Sequence, residues 1–392
     1  MDAMTGFLSL YSNPGTRRTY AGRLKAFLDF TYGSQRSGPR ATEQENFIYA
    51  DLLEQYLSNG RNYLDDLLRY AAGMGDLPPN TATMRLNCIT ELLAYRGIEF
   101  RKFDLKRVVA KLPKGGSRTL EKDLDHQVLK AILDHMDVRG RALYLTIAST
   151  GMRMGETLSI RIPNVDLDGR PPAIDLRGET VKGGVSRYVF ITDEAAAAIR
   201  EWLKVREQSM ALADRRSAGV IARGKARARA PDDDRLFPFS MKTAELIWEI
   251  ACRDAGHLSI DEATNRKQIH PHMLRKFFRS QLSLKVPRDI VEALMGHEGY
   301  LDDAYRRYPR RQMAEFYLKG QSMLTISVPK EILDMQTDYE DRMNLQRETN
   351  ERLLNQNYKL QSEVDQLRAE VAEARAMAEE VIEIGKVLRL AK

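Results

Sequence analysis

Apolar side chains recur through the first hundred residues at the period of a helix. Tyr20, Leu24, Phe27 and Leu28 share one stripe, and Thr16 or Ser12 is placed to cap the helix that carries them. Arg17, Arg18, Arg23 and Lys25 lie off that stripe and, taken alone, read as a solvated face. A second helical pattern covers Glu43 to Leu57, with Phe47, Tyr49, Leu52, Leu53 and Leu57 as its apolar positions. A third covers Tyr63 to Ala72. Pro78-Pro79 interrupts the chain, and Asn80 or Thr81 opens a fourth helix containing Met84, Leu86, Ile89, Leu92 and Leu93. Four or five helices around a small core predict an α-helical domain over 1–112.

The segment 113–118, Pro-Lys-Gly-Gly-Ser-Arg, has the composition of a linker. Beyond it the pattern becomes mixed, and a second domain is expected over 119–326. Thr119 precedes a helix start rich in Glu121, Asp123 and Asp125, whose charges suit the positive end of a helix. Helices continue through Ala142 to Ser149. Two short strands are expected at Ala173 to Leu176 and Arg187 to Ile191, with Gly178, Gly183 and Gly184 in the hairpin turn between them. Helices resume near Asp193. The small, polar and charged stretch Ala211 to Arg235 reads as an exposed loop.

The last region, 327–392, is one continuous helical pattern. Its seam steps by four and three through Leu353, Asn357, Leu360, Val364, Leu367, Val371, Ala374, Ala378 and Val381, about four heptads of a coiled coil. Val at a and Leu at d suit a parallel pair of strands, and Asn357 at an a position would set register. Glu363 and Glu370 at g face Arg368 and Arg375 at e of a parallel partner. The competing expectation is a long helix folded back on its own body. The fold class is therefore mainly α with a small antiparallel β-sheet (α+β): a helical domain, a mixed domain and a C-terminal coiled-coil helix.

Charge sharpens this division. The 392 residues carry 61 Lys+Arg and 55 Asp+Glu, a net charge of +6. The segment 327–392 holds ten basic and fourteen acidic residues, so the rest of the chain is basic with 51 against 41. A basic body favours a polyanionic partner, nucleic acid first. With 43% hydrophobic and 30% charged residues, global disorder and collagen-like structure are excluded. No run of about 18 apolar residues exists, so no membrane helix is expected. The start of the chain lacks the basic and apolar regions of a signal peptide. Cys88 and Cys252 are two thiols far apart in sequence, the usage of a reducing, intracellular protein.

No Cys/His cluster has metal-ligand spacing, no Gly-rich phosphate loop appears, and no hydrolytic triad can be identified. What remains is a series of basic side chains ending in tyrosines. Thr150-Gly151-Met152-Arg153-Met154-Gly155-Glu156 falls where one helix ends and another begins. Lys182 sits in the Gly-rich hairpin turn. His272-Met273-Leu274-Arg275 places two polar residues one helical turn apart. Gly296-His297 follows, with Tyr300, Tyr305 and Tyr308 close behind.

This ordered set resembles the tyrosine recombinase (phage integrase) family. Its pattern is an Arg within Thr-Gly-x-Arg-x-x-Glu, a Lys in a β-hairpin, His-x-x-Arg, Gly-His and then a Tyr. The stretch from Leu294 to Leu324, with its Met-Gly-His, Asp-Ala-Tyr-Arg-Arg-Tyr and Tyr-Leu-Lys runs, looks most like archaeal and archaeal-virus integrases. The resemblance covers roughly Thr5 to Ile326 and implies a DNA-binding core domain, a linker and a catalytic domain. The coiled-coil tail departs from it, because the family usually ends in a short helix packed on a neighbouring protomer.

Cleaving a phosphodiester requires a nucleophile, charge on the non-bridging oxygens and a proton for the leaving oxygen. Arg153 and Arg275 offer planar forks for those oxygens. His272 is the candidate base and Lys182 the candidate acid. His297 would hydrogen-bond the phosphate or position the nucleophile, and Glu156 would orient His272 or an arginine. Family spacing favours Tyr305 as nucleophile; Tyr308 is the alternative, and Tyr300 is close enough to His297 to be a packing residue. Arg17, Arg18, Arg23 and Lys25 become candidates for contact with DNA.

The resemblance thus implies a site-specific recombinase or integrase acting on double-stranded DNA through a 3′-phosphotyrosyl link, without metal, ATP or other cofactor. It would form tetramers in synapsis, and dimers through the coil. It would be cytoplasmic and nucleoid-associated in a prokaryotic host, with no membrane partner. A type IB topoisomerase-like or telomere-resolving relative uses the same chemistry, and an inactive DNA-binding scaffold is a reading from another class.

Overall fold

The structure, a computed structural model, describes residues 2–38, 41–58, 60–116, 118–180, 184, 186–223, 230, 232–296, 308–327 and 330–390. The described chain is mainly helical with small antiparallel sheets, as the sequence pattern requires. It divides into two compact units, Met1–Glu121 with Ile260–Gln268, and Lys122–Ser259 with Ile269–Lys392. Among the described residues no helix is long and apolar enough to cross a membrane.

The first unit holds α1 (Ala3–Ser9), α2 (Pro14–Tyr32), α3 (Glu43–Ser58), α4 (Tyr63–Ala72), α5 (Pro79–Tyr95) and α6 (Lys102–Val109). Asn13, rather than Thr16 or Ser12, caps α2, its side chain accepting from the Gly15 and Thr16 amides while Pro14 occupies the first turn. Leu24, Phe27 and Leu28 are buried on this helix as expected. On α3 the buried positions are Tyr49, Leu53 and Tyr56, a clean i, i+4, i+7 stripe, so Phe47 falls on the far side and is exposed. Met84 of α5 is likewise exposed, while Leu86, Ile89, Leu92 and Leu93 enter the core. Asp66, buried on α4, is neutralised by Arg61 at 2.9 Å and Arg69 at 2.7 Å. The segment Ile260–Gln268 adds a minimal hairpin, β4 (Ile260–Asp261) with β5 (Arg266–Lys267), in which Ile260 pairs with Lys267. The Asp261 carboxylate accepts from the Leu120 amide at 3.1 Å and so pins the chain that follows 113–118.

The second unit opens with α7 (His126–Asp134), capped by Asp125, then α8 (Val138–Thr150) and the short α9 (Met154–Leu158). A three-stranded antiparallel sheet follows, β1 (Val165–Asp166), β2 (Ala173–Leu176) and β3 (Arg187–Phe190), with Ala173 opposite Phe190 and Leu176 opposite Arg187. Next come α10 (Asp193–Ala222), α11 (Met241–Asp254), α12 (Met273–Leu282), α13 (Arg288–Met295), α14 (Arg310–Gly320) and α15 (Lys330–Leu390). The helix α10 runs to Ala222, so the first half of the expected loop from Ala211 is helical. Its Ala, Leu and Arg residues are strong helix formers, which outweighs the stretch's polarity. The core of this unit gathers α8, the sheet, α11 and α12 around Tyr144, Trp248, Phe237 and Phe278.

Candidate active site

The helix α8 stops at Gly151, whose φ of +62° is the left-handed conformation that ends helices. A Cβ at this position would meet the Phe278 ring at 2.5 Å, so the glycine also permits close approach of α8 to α12. Two residues on, Arg153 caps α9. The Glu156 carboxylate reaches back to the Arg153 amide at 3.3 Å, completing the acidic half of a capping box. One turn of helix therefore holds an arginine and its counter-charge in fixed relation.

Glu156 is buried and divides its two oxygens between guanidinium groups. Arg153 lies at 3.0 Å from one and Arg187 at 2.8 Å from the other. Burial pushes this carboxyl up, but the charge and hydrogen bonds of Arg187 and Arg153 outweigh it and hold it below the ordinary value. Of the two roles open to Glu156, the geometry gives it arginines as partners.

Arg275 enters from α12 and is buried. Its fork donates to the Gly151 carbonyl at the end of α8 and, at 3.0 Å, to the Met295 carbonyl at the end of α13. Both oxygens sit at the negative end of a helix dipole, which stabilises the buried cation. Burial, followed by the neighbouring Arg153, pushes the Arg275 guanidinium down to about 10, so it stays charged at neutral pH. Arg153, by contrast, is about one-third exposed. The structure thus brings Arg153, Glu156 and Arg275 together, one arginine built into the wall and one reaching outward.

His272 stands at the start of α12, exposed, with its ring stacked 6.4 Å from that of His270. The Arg275 amide donates to the His272 carbonyl at 3.1 Å, which confirms the one-turn spacing read from His-x-x-Arg. Tyr308 is half-buried, 6.1 Å from Phe316 in an edge contact. Lys182, His297, Tyr300 and Tyr305 lie outside the described residues. In the first unit, Arg17 and Arg18 are exposed on α2, whereas Arg23 leans on Tyr20 at 5.4 Å and Lys25 on Tyr49 at 5.7 Å. Helical geometry sets Arg18 and Lys25 within about 20° of each other and Arg23 about 140° from Arg18, so the four do not form one face.

Arg187 escaped the sequence reading. It lies on β3, on the same side as the buried Val189, with only 12% of its side chain exposed. Its guanidinium also lies against Gly296, where a Cβ would meet Cζ at 2.7 Å. The available signal was strand alternation: an Arg two residues before an inward Val points inward too. Nearby, the buried Glu292 of α13 accepts from Arg279 of α12 at 2.6 Å, fixing the two helices whose ends frame the cluster.

Gly151 supplies a direct check of this framing. Gly151→Ala is expected to lower the stability of the second unit by more than about 1 kcal/mol, since it adds a clash to a strained φ. Gly256→Ala, at φ +75° with open space around it, would carry the strain alone and should cost less. Equal shifts in melting temperature would show that the approach to Phe278 contributes nothing.

Residues 122–313 match the model of the phage integrase family. Among similar proteins is the tyrosine recombinase XerC of Chromobacterium violaceum, 29% identical over 164 residues, or 41% of this chain and 45% of that protein. XerC of Actinobacillus succinogenes is 23% identical over 228 residues, 56% of this chain and 68% of that protein. The chain spans about half the length of the first curated relatives it matches. Solved structures that align with it include XerA recombinase (18% identity, TM-score 0.35, 82% of this chain and 98% of that one). A lambda integrase dimer bound to a COC′ core site also aligns (14% identity, TM-score 0.45, 78% of this chain and 96% of that one).

Proposed function

We propose, on the match of residues 122–313 to the phage integrase family, that this chain is a site-specific DNA recombinase that cuts and rejoins strands through a phosphotyrosine. The observation that carries this reading is the convergence of Arg153 and Arg275 beside one buried carboxylate, Glu156. Two guanidinium groups so placed match the paired non-bridging oxygens of a phosphodiester. The polyanionic substrate is double-stranded DNA, consistent with the excess of basic residues outside 327–392.

In the proposed reaction the Tyr305 phenolic oxygen attacks phosphorus and the bond to the 5′ oxygen breaks. The phenol proton passes to His272, and Lys182 protonates the departing 5′ oxygen, which leaves as a hydroxyl. Arg153 and Arg275 hold the charge that develops on the phosphoryl oxygens, and His297 hydrogen-bonds the same group. A tyrosine leaves phosphorus again when a 5′ hydroxyl attacks, so the strand is resealed with no energy input. Two such exchanges on paired sites, by four protomers, recombine two duplexes. Arg17, Arg18, Arg23 and Lys25 are proposed contacts of the 1–112 domain with DNA phosphates, with 113–118 joining it to the catalytic domain of 119–326.

The test is covalent capture. Nicked duplexes of randomised sequence, incubated with the full chain and resolved in denaturing detergent, should yield a protein–DNA adduct. Tyr305→Phe should abolish the adduct and leave DNA binding within about threefold, because only the hydroxyl is lost. Tyr308→Phe should still form it. An adduct that survives Tyr305→Phe and disappears in Tyr308→Phe would transfer the role to Tyr308; no adduct from the unaltered chain on any duplex would remove the enzyme reading. Adduct formation should also persist in excess EDTA and without ATP, and a requirement for Mg²⁺ at the cleavage step would count against the arginine clamp.

A further inference from the structure

The helix α15 runs unbroken from Lys330 to Leu390, 61 residues and roughly 90 Å at 1.5 Å per residue. Its seam faces solvent: Leu353 is 48% exposed, Leu360 57%, Val364 41%, Leu367 59% and Val371 53%. The body of the protein therefore does not cover these five positions, although Lys285 pairs with Asp341 at 3.3 Å near the start of the helix. An isolated helix with a row of Leu and Val on one side gains its stability only by burying that row.

We propose that this seam is an interface with a second copy of the same chain, closed as a parallel, in-register, two-stranded coiled coil over about Leu353 to Val381. Three independent features choose this occupant. Val364 and Val371 occupy a positions and Leu353, Leu360 and Leu367 occupy d positions, the arrangement that fits two parallel strands. Asn350 and Asn357 also fall at a, one heptad apart, so each meets its own copy only when the strands are parallel and in register. Finally, Glu363 and Glu370 at g meet Arg368 and Arg375 at e of the partner strand in the parallel arrangement. Antiparallel strands would set g against g and e against e, facing Glu with Glu and Arg with Arg.

The same rule limits the coil on its N-terminal side. Arg342 at g would meet Arg347 at e of the partner, a like-charge pair, so closure is favoured only after Arg347. Residues 342–352 are then a single-helix segment between the body and the coil. On the recombinase reading, in which four protomers act on two sites, such a tether raises the effective concentration of the second protomer without occupying the cluster of Arg153 and Arg275.

The inference is tested on the full chain without DNA, so its outcome is separate from that of the recombinase reading. Sedimentation at micromolar concentration should give a dimer. The double reversal Glu363→Arg/Glu370→Arg should weaken it at least tenfold, and adding Arg368→Glu/Arg375→Glu should restore it. Orientation is read by oxidation of single-cysteine variants. Cys88 and Cys252 are buried, so Asn357→Cys should form an inter-chain disulfide efficiently and Tyr358→Cys, on the outward b position, should not. A monomer throughout, a dimer indifferent to the charge reversals, or preferential cross-linking at Tyr358→Cys would each overturn the proposal.

Discussion

Replacing Arg275 with Lys is expected to reduce adduct formation by at least about a hundredfold, close to 3 kcal/mol of transition-state stabilisation, although formal charge is kept. The reason lies in how the side chain is held. Its fork spans two carbonyls, those of Gly151 and Met295, which belong to the ends of different helices. A lysine ammonium is a point donor on a flexible stem and cannot bridge both while keeping a planar edge for phosphate. Burial already pushes the Arg275 guanidinium down to about 10. An ammonium starts about two units lower, near 10.4, so the same surroundings would bring it much nearer to neutrality.

Arg153→Lys should also lose most cleavage, but for a narrower reason. Arg153 is about one-third exposed and its partner Glu156 retains Arg187, so folding should change little. The two variants therefore separate by thermal melting: Arg275→Lys lowers the transition and Arg153→Lys leaves it nearly unchanged. Single-turnover cleavage of nicked duplex beside equilibrium binding provides the readout. Near-normal cleavage in either variant, with binding intact, would mean that charge without the fork suffices at that position.

Much of this cluster was legible because its members are local. Arg153 and Glu156 lie three residues apart, and His272 and Arg275 likewise, so helical spacing alone predicts their proximity. The hairpin strands were legible from glycine and alternation, and the exposed tail from its heptads. What escaped depended on long-range packing. Arg187 meets Glu156 across 31 residues of sequence, through the register of β3 rather than through any motif. The same holds for Phe47 and Met84, apolar residues that periodicity offers to the core but that tertiary packing leaves outside it. The helix α10 ran past the expected loop start because charge and helix propensity point in opposite directions there, and sequence composition weighs only the first.

The carboxylate between the arginines gives the second large effect. Glu156→Gln is expected to lower the melting temperature of the second unit by roughly 5–10 °C near neutral pH, corresponding to about 3 kcal/mol for breaking a buried ion pair. Glutamine keeps the shape and one acceptor but leaves Arg153, Arg187 and Arg275 without their shared counter-charge. The pH dependence fixes the cause. Because Arg187 and Arg153 overcome burial and hold Glu156 below its ordinary value, its contribution is fully present above the unfolded carboxyl value of about 4.3 and is lost as pH falls through the lower folded value. The gap between the native chain and Glu156→Gln should therefore be wide at pH 7 and close as the pH drops below about 4. Arg187→Met should show a similar closing gap, since it removes the partner at 2.8 Å. Combined with Glu156→Gln it should add less than the sum of the two, with a coupling of about 1–3 kcal/mol. A gap that stays constant down to pH 3, or strictly additive effects of the two substitutions, would assign the loss to packing and leave Arg187 a bystander. Where the coupling holds, Arg187 tethers the strand that follows Lys182 to the turn that carries Arg153, so its loss should lower the rate of adduct formation more than the affinity for DNA.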